Sequence, residues 1–279
     1  MTRTGPQKYP GASTTYWYGG SYKGSEMETN VIVWHSTEGT ALPSYGGGAS
    51  APTLTAVPDF ARKKLVWYQH FDFDVSSRAL VNKAGGVETN TLNVCQVEVV
   101  GTCDPATHAK WQKAGRQHLY MPELPDWVVR DLAAFAKWAH EQHGVPLSSG
   151  LTFRAYPASY GASSVRMTGA RWNSFKGHCG HQHVPENDHG DPGAFPMAAI
   201  LDAAKGGTPE KGLDMTDEQL FKAVWKRDAI PAPTTASTYK TNPTWKAESY
   251  FPHLAEQLSR LTDKVDALTK AVAELKKGA

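Results

Sequence analysis

The sequence predicts an α/β protein that ends in a helical tail. Three features carry that expectation: short apolar runs rich in β-branched residues, amphipathic stretches with helical spacing between and after them, and a strict heptad repeat near the C-terminus. At 279 residues the chain can bury one catalytic-size core and still hold a smaller appendage.

Residues 1–27 read as an arm. Tyr9, Tyr16, Trp17, Tyr18 and Tyr22 lie among Gly, Ser and Thr with little periodicity, so their rings either cover the core or flank a groove. Val31-Ile32-Val33-Trp34-His35 predicts a buried strand that leaves His35 where strand gives way to loop, a common place for functional side chains. Residues 40–60 are rich in Gly, Ser and Pro. Gly46-Gly47-Gly48 lacks the Gly-Lys-Ser/Thr that would make it a phosphate loop. Strands are expected at residues 65–71 and 94–101. In the second, alternation sets Gln96 and Glu98 on one face and Cys95, Val97 and Val99 on the other. A carboxylate in a buried central strand is costly unless a metal, a base partner or water compensates it. In an edge strand, Glu98 would simply face solvent.

Residues 124–143 form an amphipathic helix that Gly144 stops. His140-Glu141-Gln142-His143 within it has i,i+3 histidines, one residue short of a metalloprotease box. A short helix over residues 196–205 comes next, with Pro at its first turn and Gly206-Gly207 beyond. Residues 206–215 read as a linker and 216–252 as a short helix plus loop, opened by a Thr216/Gln219 capping box with Met215 and Leu220 as its staple. Over residues 253–277, Leu254, Leu258, Leu261, Val265, Leu268, Val272 and Leu275 are spaced 4-3-4-3-4-3. That stripe suits a coiled-coil helix with weak self-association, or an amphipathic helix folded back on its own domain.

The chemistry concentrates in Gly177 to Gly193, which holds His178, Cys179, His181, His183, Glu186, Asp188, His189 and Asp191. Gly and Pro punctuate it, so a loop of fixed shape is expected. Imidazole, thiolate and carboxylate are the ligands Zn²⁺ prefers, although a polar surface loop could be His-rich by chance. No paired Cys-x-x-Cys closes a zinc finger here, so a distant ligand is expected, and His35 is the candidate.

Forty per cent hydrophobic and 20% charged residues are ordinary for a soluble protein, and a net charge of +2 argues against nucleic acid as the main partner. Three cysteines make no disulfide framework, which fits a reducing compartment. No run of 18 apolar residues and no signal-type h-region occurs, so neither a membrane span nor a secretion signal is expected.

In order, strand-His35, Val97-Glu98-Val99-Val100-Gly101, Gly180-His181-x-x-Val184 and His189-x-Asp191-Pro192-Gly193-Ala194-Phe195 resemble the zinc-dependent N-acetylmuramoyl-L-alanine amidases of type 2, relatives of the peptidoglycan recognition proteins. The resemblance spans about residues 28–205. It implies a mixed central β-sheet flanked by helices, and a catalytic domain over residues 1–205. It implies Zn²⁺ held by His35, His181 and Asp191, with Glu98 as the acid/base beside it. His189 stands where relatives carry an oxyanion-steadying lysine, His183 replaces the Asp after Gly-His-x, and Arg78-Ala79-Leu80-Val81 occupies the place of a Trp-His element. The implied substrate is bacterial peptidoglycan, cut between N-acetylmuramic acid and L-alanine. A chain without a signal resembles a bacteriophage endolysin, made in the host cytoplasm and acting on the wall after release. A non-catalytic wall-binding module and a His-metal nuclease using His178, Asn187 and His189 are the other classes the residues admit.

Overall fold

The computed structural model describes residues 5–206, 221–226, 228 and 230–277. They divide into two units near residue 212. The first contains strands β1 (Val31–Ser36), β2 (Leu54–Asp59), β3 (Lys64–Gln69), β4 (Val94–Val99) and β5 (Gly177–Gly180). Its helices are α1 (Pro105–Lys113), α2 (Asp126–His143), α3 (Gly169–Ser174) and α4 (Met197–Ala204). The expected α/β class, with a mixed central sheet and flanking helices, is what the chain forms.

The five strands are ordered β3-β2-β4-β1-β5. β1 runs parallel to both β4 and β5, β2 runs parallel to β4, and β2 with β3 forms an antiparallel hairpin. β4 is therefore central, which excludes the edge-strand reading of Glu98. Parallel strands covered on both faces read as continuous apolar runs, and VIVW and VCQV do so. Ile32, Trp34, Cys95, Val97 and Val99 face the main core with Phe135 and Leu132 of α2 and Ile200 of α4. Val31, Val33 and Val94 face a second cluster with Trp172 of α3 and Cys179.

α2 shows why this sequence is helical. Its buried residues Val128, Val129, Leu132, Phe135, Ala136 and Ala139 recur on one stripe, and it ends at Gly144, whose φ of 70° suits glycine. The pair of histidines at its end is structural. His140 Nδ1 bonds the Val145 carbonyl, and His143 bonds the Pro6 carbonyl beside buried Asp74. The arm lies along β3, where Ser13 and Trp67/Gln69 exchange backbone bonds. Tyr9 packs edge-on against Trp67, Phe135 and Trp138, so its ring covers core.

Three expectations are corrected. Residues 40–60 contain β2, unseen because Pro58 sits in it. β4 pairs only with Leu54–Ala56, so proline breaks no ladder on that side. Gly177–Gly180 is strand rather than loop: Gly177 takes φ 106° against the Ser148 carbonyl, and Gly180 lies against Pro192 and Phe153, close approaches only glycine allows. α1 was not anticipated, although Asp104 caps it and Pro105 opens it.

In the second unit, β6 (Ile230–Pro231) and β7 (Thr244–Trp245) pair antiparallel, and α5 spans Ala247–Lys277. The helix starts earlier than the expected residue 253 because Pro252, in its second turn, removes one bond without ending it. All seven seam residues of α5 are exposed, by 45% to 75%. The expected linker beyond Gly206, the capping box and its staple lie outside the described residues. No helix among the described residues is long and apolar enough to cross a membrane.

Candidate metal centre

The parallel register builds the site. His35 sits opposite Glu98 across β1 and β4, and Glu98 sits opposite Thr55 across β4 and β2. These three form a row across the sheet, with His35 and Glu98 at the carboxyl ends of their parallel strands, where open α/β sheets place their ligand crevices. β5 then delivers the chain beside β1 and ends at Gly180, so the 3₁₀ turn His181–His183 begins next to His35. Gln182 N–H donates to the Asp191 carbonyl at 2.9 Å, folding the loop back so that Asp191 meets both histidines.

His35, His181 and Asp191 come together as a buried group that could hold a metal ion. His35 Nδ1 and His181 Nδ1 are 3.0 Å apart, His181 Nδ1 lies 3.0 Å from Asp191 Oδ1, and His35 Nδ1 lies 3.5 Å from Asp191 Oδ2. Ligands bound to one tetrahedral ion at 2.0–2.1 Å would be about 3.3 Å apart, so the three donors span the face of such a shell. Nδ1 is the converging atom of both rings, and the buried Nε2 atoms have no protein partner. Asp191 also accepts the Ser36 N–H at 3.2 Å.

The electrostatics agree with a cation site. Burial works to raise the Asp191 pKa, but His181 and His35 outweigh it and hold the carboxyl well below its ordinary range. Burial lowers His181 to about 4, with Asp191 opposing and His35 adding to the fall, so its ring is neutral and free to ligate. In His35, burial lowers the pKa, but the hydrogen bond to Asp191 and the charge of Glu98 prevail and the net shift is upward. Glu98 is pushed up to about 7, first by burial and then by Asp191 and Glu38, against the pull of His35. Its Oε2 is occluded and without a protein partner. His189 stacks on His181 with ring centroids 4.6 Å apart, and its Nδ1 is 3.8 Å from Asp191 Oδ1. His35, His181 and Asp191 therefore converge, with His189 stacked on His181 and Glu98 opposite His35 on the neighbouring strand.

The other histidine-loop residues do not. His178 faces the opposite side of the sheet, stacked on Trp34 and accepting the indole N–H at 3.2 Å. That removes it from any nuclease arrangement with His189. Cys179 is buried among Val31, Val33 and Val184, where burial raises its thiol pKa and keeps it protonated. His183 takes the Gly180 N–H at Nδ1 and bonds the Thr152 carbonyl at Nε2, so it fixes the turn.

Three residues were missed from sequence. Glu38 accepts from Ser36 Oγ, Thr102 Oγ1 and the Cys103 N–H, tying the turn after β1 to the turn after β4. Tyr45 is held at φ 52° before Gly46-Gly47-Gly48 and bonds Thr55 Oγ1, which bonds His70. Gln182 is fully buried, accepting from Arg154 N–H and donating to the Gly193 carbonyl. Only the glycine triplet before residue 50 hinted at any of these, since it marks a backbone needing positive φ.

No protein-family model and no curated protein matches the chain.

Proposed function

We propose that this protein is a zinc-dependent N-acetylmuramoyl-L-alanine amidase of the endolysin kind, hydrolysing the bond between N-acetylmuramic acid and L-alanine in bacterial peptidoglycan. The observation that carries the reading is the buried His35–His181–Asp191 face with Glu98 one strand away and His189 stacked above it. Two neutral-capable imidazoles and one carboxylate make the donor set of a catalytic zinc site, which keeps a position open for water. Bound there, zinc would polarise the scissile carbonyl and lower the pKa of water to about 7.

The chain's own groups do the rest. Glu98, with its pKa near 7, accepts the proton of the attacking water and passes it to the leaving amine. His189 directs an N–H toward the oxyanion that develops on the carbonyl oxygen. Glu38, through Ser36 and Thr102, keeps His35 and Glu98 on adjacent strand ends. The exposed heptad seam of α5 completes the reading as a coiled coil that pairs weakly with a second copy, tethering two hydrolytic units on a polymeric substrate.

The test uses zinc-loaded protein on purified cell walls and, separately, on plasmid. Release of new amino termini from walls, lost in Glu98→Gln while zinc stays bound, supports the amidase. Nicked plasmid would indicate a nuclease. Co-sedimentation with walls without release would indicate a binding module.

A further inference from the structure

His189 poses a positioning problem. Its side chain is 68% exposed and touches the site through its stack on His181, so the ring is held by little of its own packing. The loop that carries it contains Glu186 in the left-handed region, at φ 57°. Something must hold the backbone of residues 184–190 if the ring is to stay in place.

The segment from Ser159 to Met167 does this. Ser159 Oγ donates to the Gly190 carbonyl at 2.6 Å, Gly161 N–H to the Asp188 carbonyl at 2.7 Å, and Met167 N–H to the His183 carbonyl at 2.9 Å. A Cβ on Gly190 would fall 2.7 Å from Ser159 Oγ and 2.9 Å from the Tyr160 nitrogen, so the two backbones touch. Arg166 closes the cradle. Its Nη1 donates to the Val184 carbonyl at 2.8 Å, and its Nη2 to the His189 carbonyl at 3.0 Å. Nε and Nη2 both reach the Gly161 carbonyl, at 3.1 and 3.0 Å. One planar fork thus joins the cradle to both ends of the histidine-bearing loop, which a lysine ammonium with its single nitrogen could not span in the same way.

We infer that Arg166 is a positioning residue for His189: it fixes the loop backbone so that the exposed imidazole stays stacked over the metal centre. This rests on the proposed role of His189, so the test has one arm that needs no activity. Hydrogen exchange in zinc-loaded protein should speed up about tenfold or more over residues 184–190 in Arg166→Ala, with β1 and α2 unchanged. Arg171→Ala, which removes a guanidinium whose side chain makes none of these bonds, should leave exchange as in the parent. Unchanged exchange at 184–190 in Arg166→Ala overturns the inference. Should Arg166→Ala fail to fold, Arg166→Lys takes its place, with faster exchange over 184–190 again expected.

The second arm is kinetic, on a soluble muropeptide. Arg166→Ala should lower kcat about tenfold at near-constant KM and zinc content, since small misplacements of a reacting group cost up to about a hundredfold. The double variant with His189→Ala should be no slower than His189→Ala alone, within about twofold. Multiplicative losses in the double variant, or loss of zinc, would show that Arg166 acts elsewhere. If the parent protein releases no amino termini from muropeptides, the amidase reading fails and the exchange arm alone decides Arg166.

Discussion

Gln182→Ala is the perturbation whose size the structure fixes best. The side chain is fully buried and makes two bonds, accepting the Arg154 N–H at 2.8 Å and donating to the Gly193 carbonyl at 2.7 Å. Truncation loses two hydrogen bonds, one to the Gly193 carbonyl, which keeps the Phe195 N–H at 2.8 Å, and one from the half-buried Arg154 N–H, at about 0.5–1.5 kcal/mol each. Two methylene-sized groups of packing add about 1.5 kcal/mol. The sum is roughly 2.5–4.5 kcal/mol, which in a unit of this size lowers Tm by roughly 5–18 °C. Gly193 lies two residues past Asp191, so the ligand's support loosens too, and zinc affinity should fall about 10–100-fold. Calorimetry of the metal-free protein reads the first effect, and isothermal titration with zinc reads the second. Gln182→Glu sharpens the comparison, because it keeps the acceptor for Arg154 but sets a carboxylate oxygen against the Gly193 carbonyl. A Tm within about 2 °C of the parent and an unchanged zinc Kd for Gln182→Ala would show that Gln182 only fills space.

Three further outcomes are expected. His35→Ala, His181→Ala and Asp191→Ala should each lose bound zinc by elemental analysis, whereas Cys179→Ser should retain it, since that thiol is protonated and buried among aliphatic side chains. Asp74 has its pKa depressed: burial opposes, but His143, Gln7 and the Thr29 N–H prevail. A depressed carboxylate stabilises the fold above its unfolded value, here 3.8, and that stability is lost as pH falls through the lower folded value. The Tm gap between parent and Asp74→Asn should therefore be constant near neutrality and shrink below about pH 4; a gap that is the same at pH 3 and pH 7 would refute this. Finally, sedimentation should show concentration-dependent self-association that Leu261→Lys with Leu268→Lys abolishes, and a chain monomeric at about 100 µM would contradict the seam.

How far the sequence could be read depends on what sets each element. β1, β4 and α2 were legible because burial on both faces, or on one helical stripe, writes itself into runs and periods. The three converging donors were legible because His35 ends such a run and His181 and Asp191 stand in a motif. β2 and β5 were not, since their pairing is set by neighbours: Pro58 and Gly177 are poor strand residues that the sheet tolerates. Glu38, Gln182 and Arg166 were hidden for a different reason. They bond mostly to backbone groups contributed by other segments, and no local spacing records that. Glu98 lay between these cases. Its oddity in an apolar strand was visible, but only the central position of β4 set it beside His35 rather than at an open edge.

The short strand β5 has a kinetic consequence. It is four residues long and lies at the edge of the sheet, paired only with β1. His181 and Asp191 hang from its far end, whereas His35 belongs to the interior strand it lies against, 146 residues away from His181 in the chain. Peeling β5 from β1 would part the donors while the main core stayed intact, so the dwell time of a metal bound there would be set by fraying of one edge rather than by global unfolding. A bound ion would in turn rivet that edge in place, and a chelator should then expose β5 to exchange long before α2 melts.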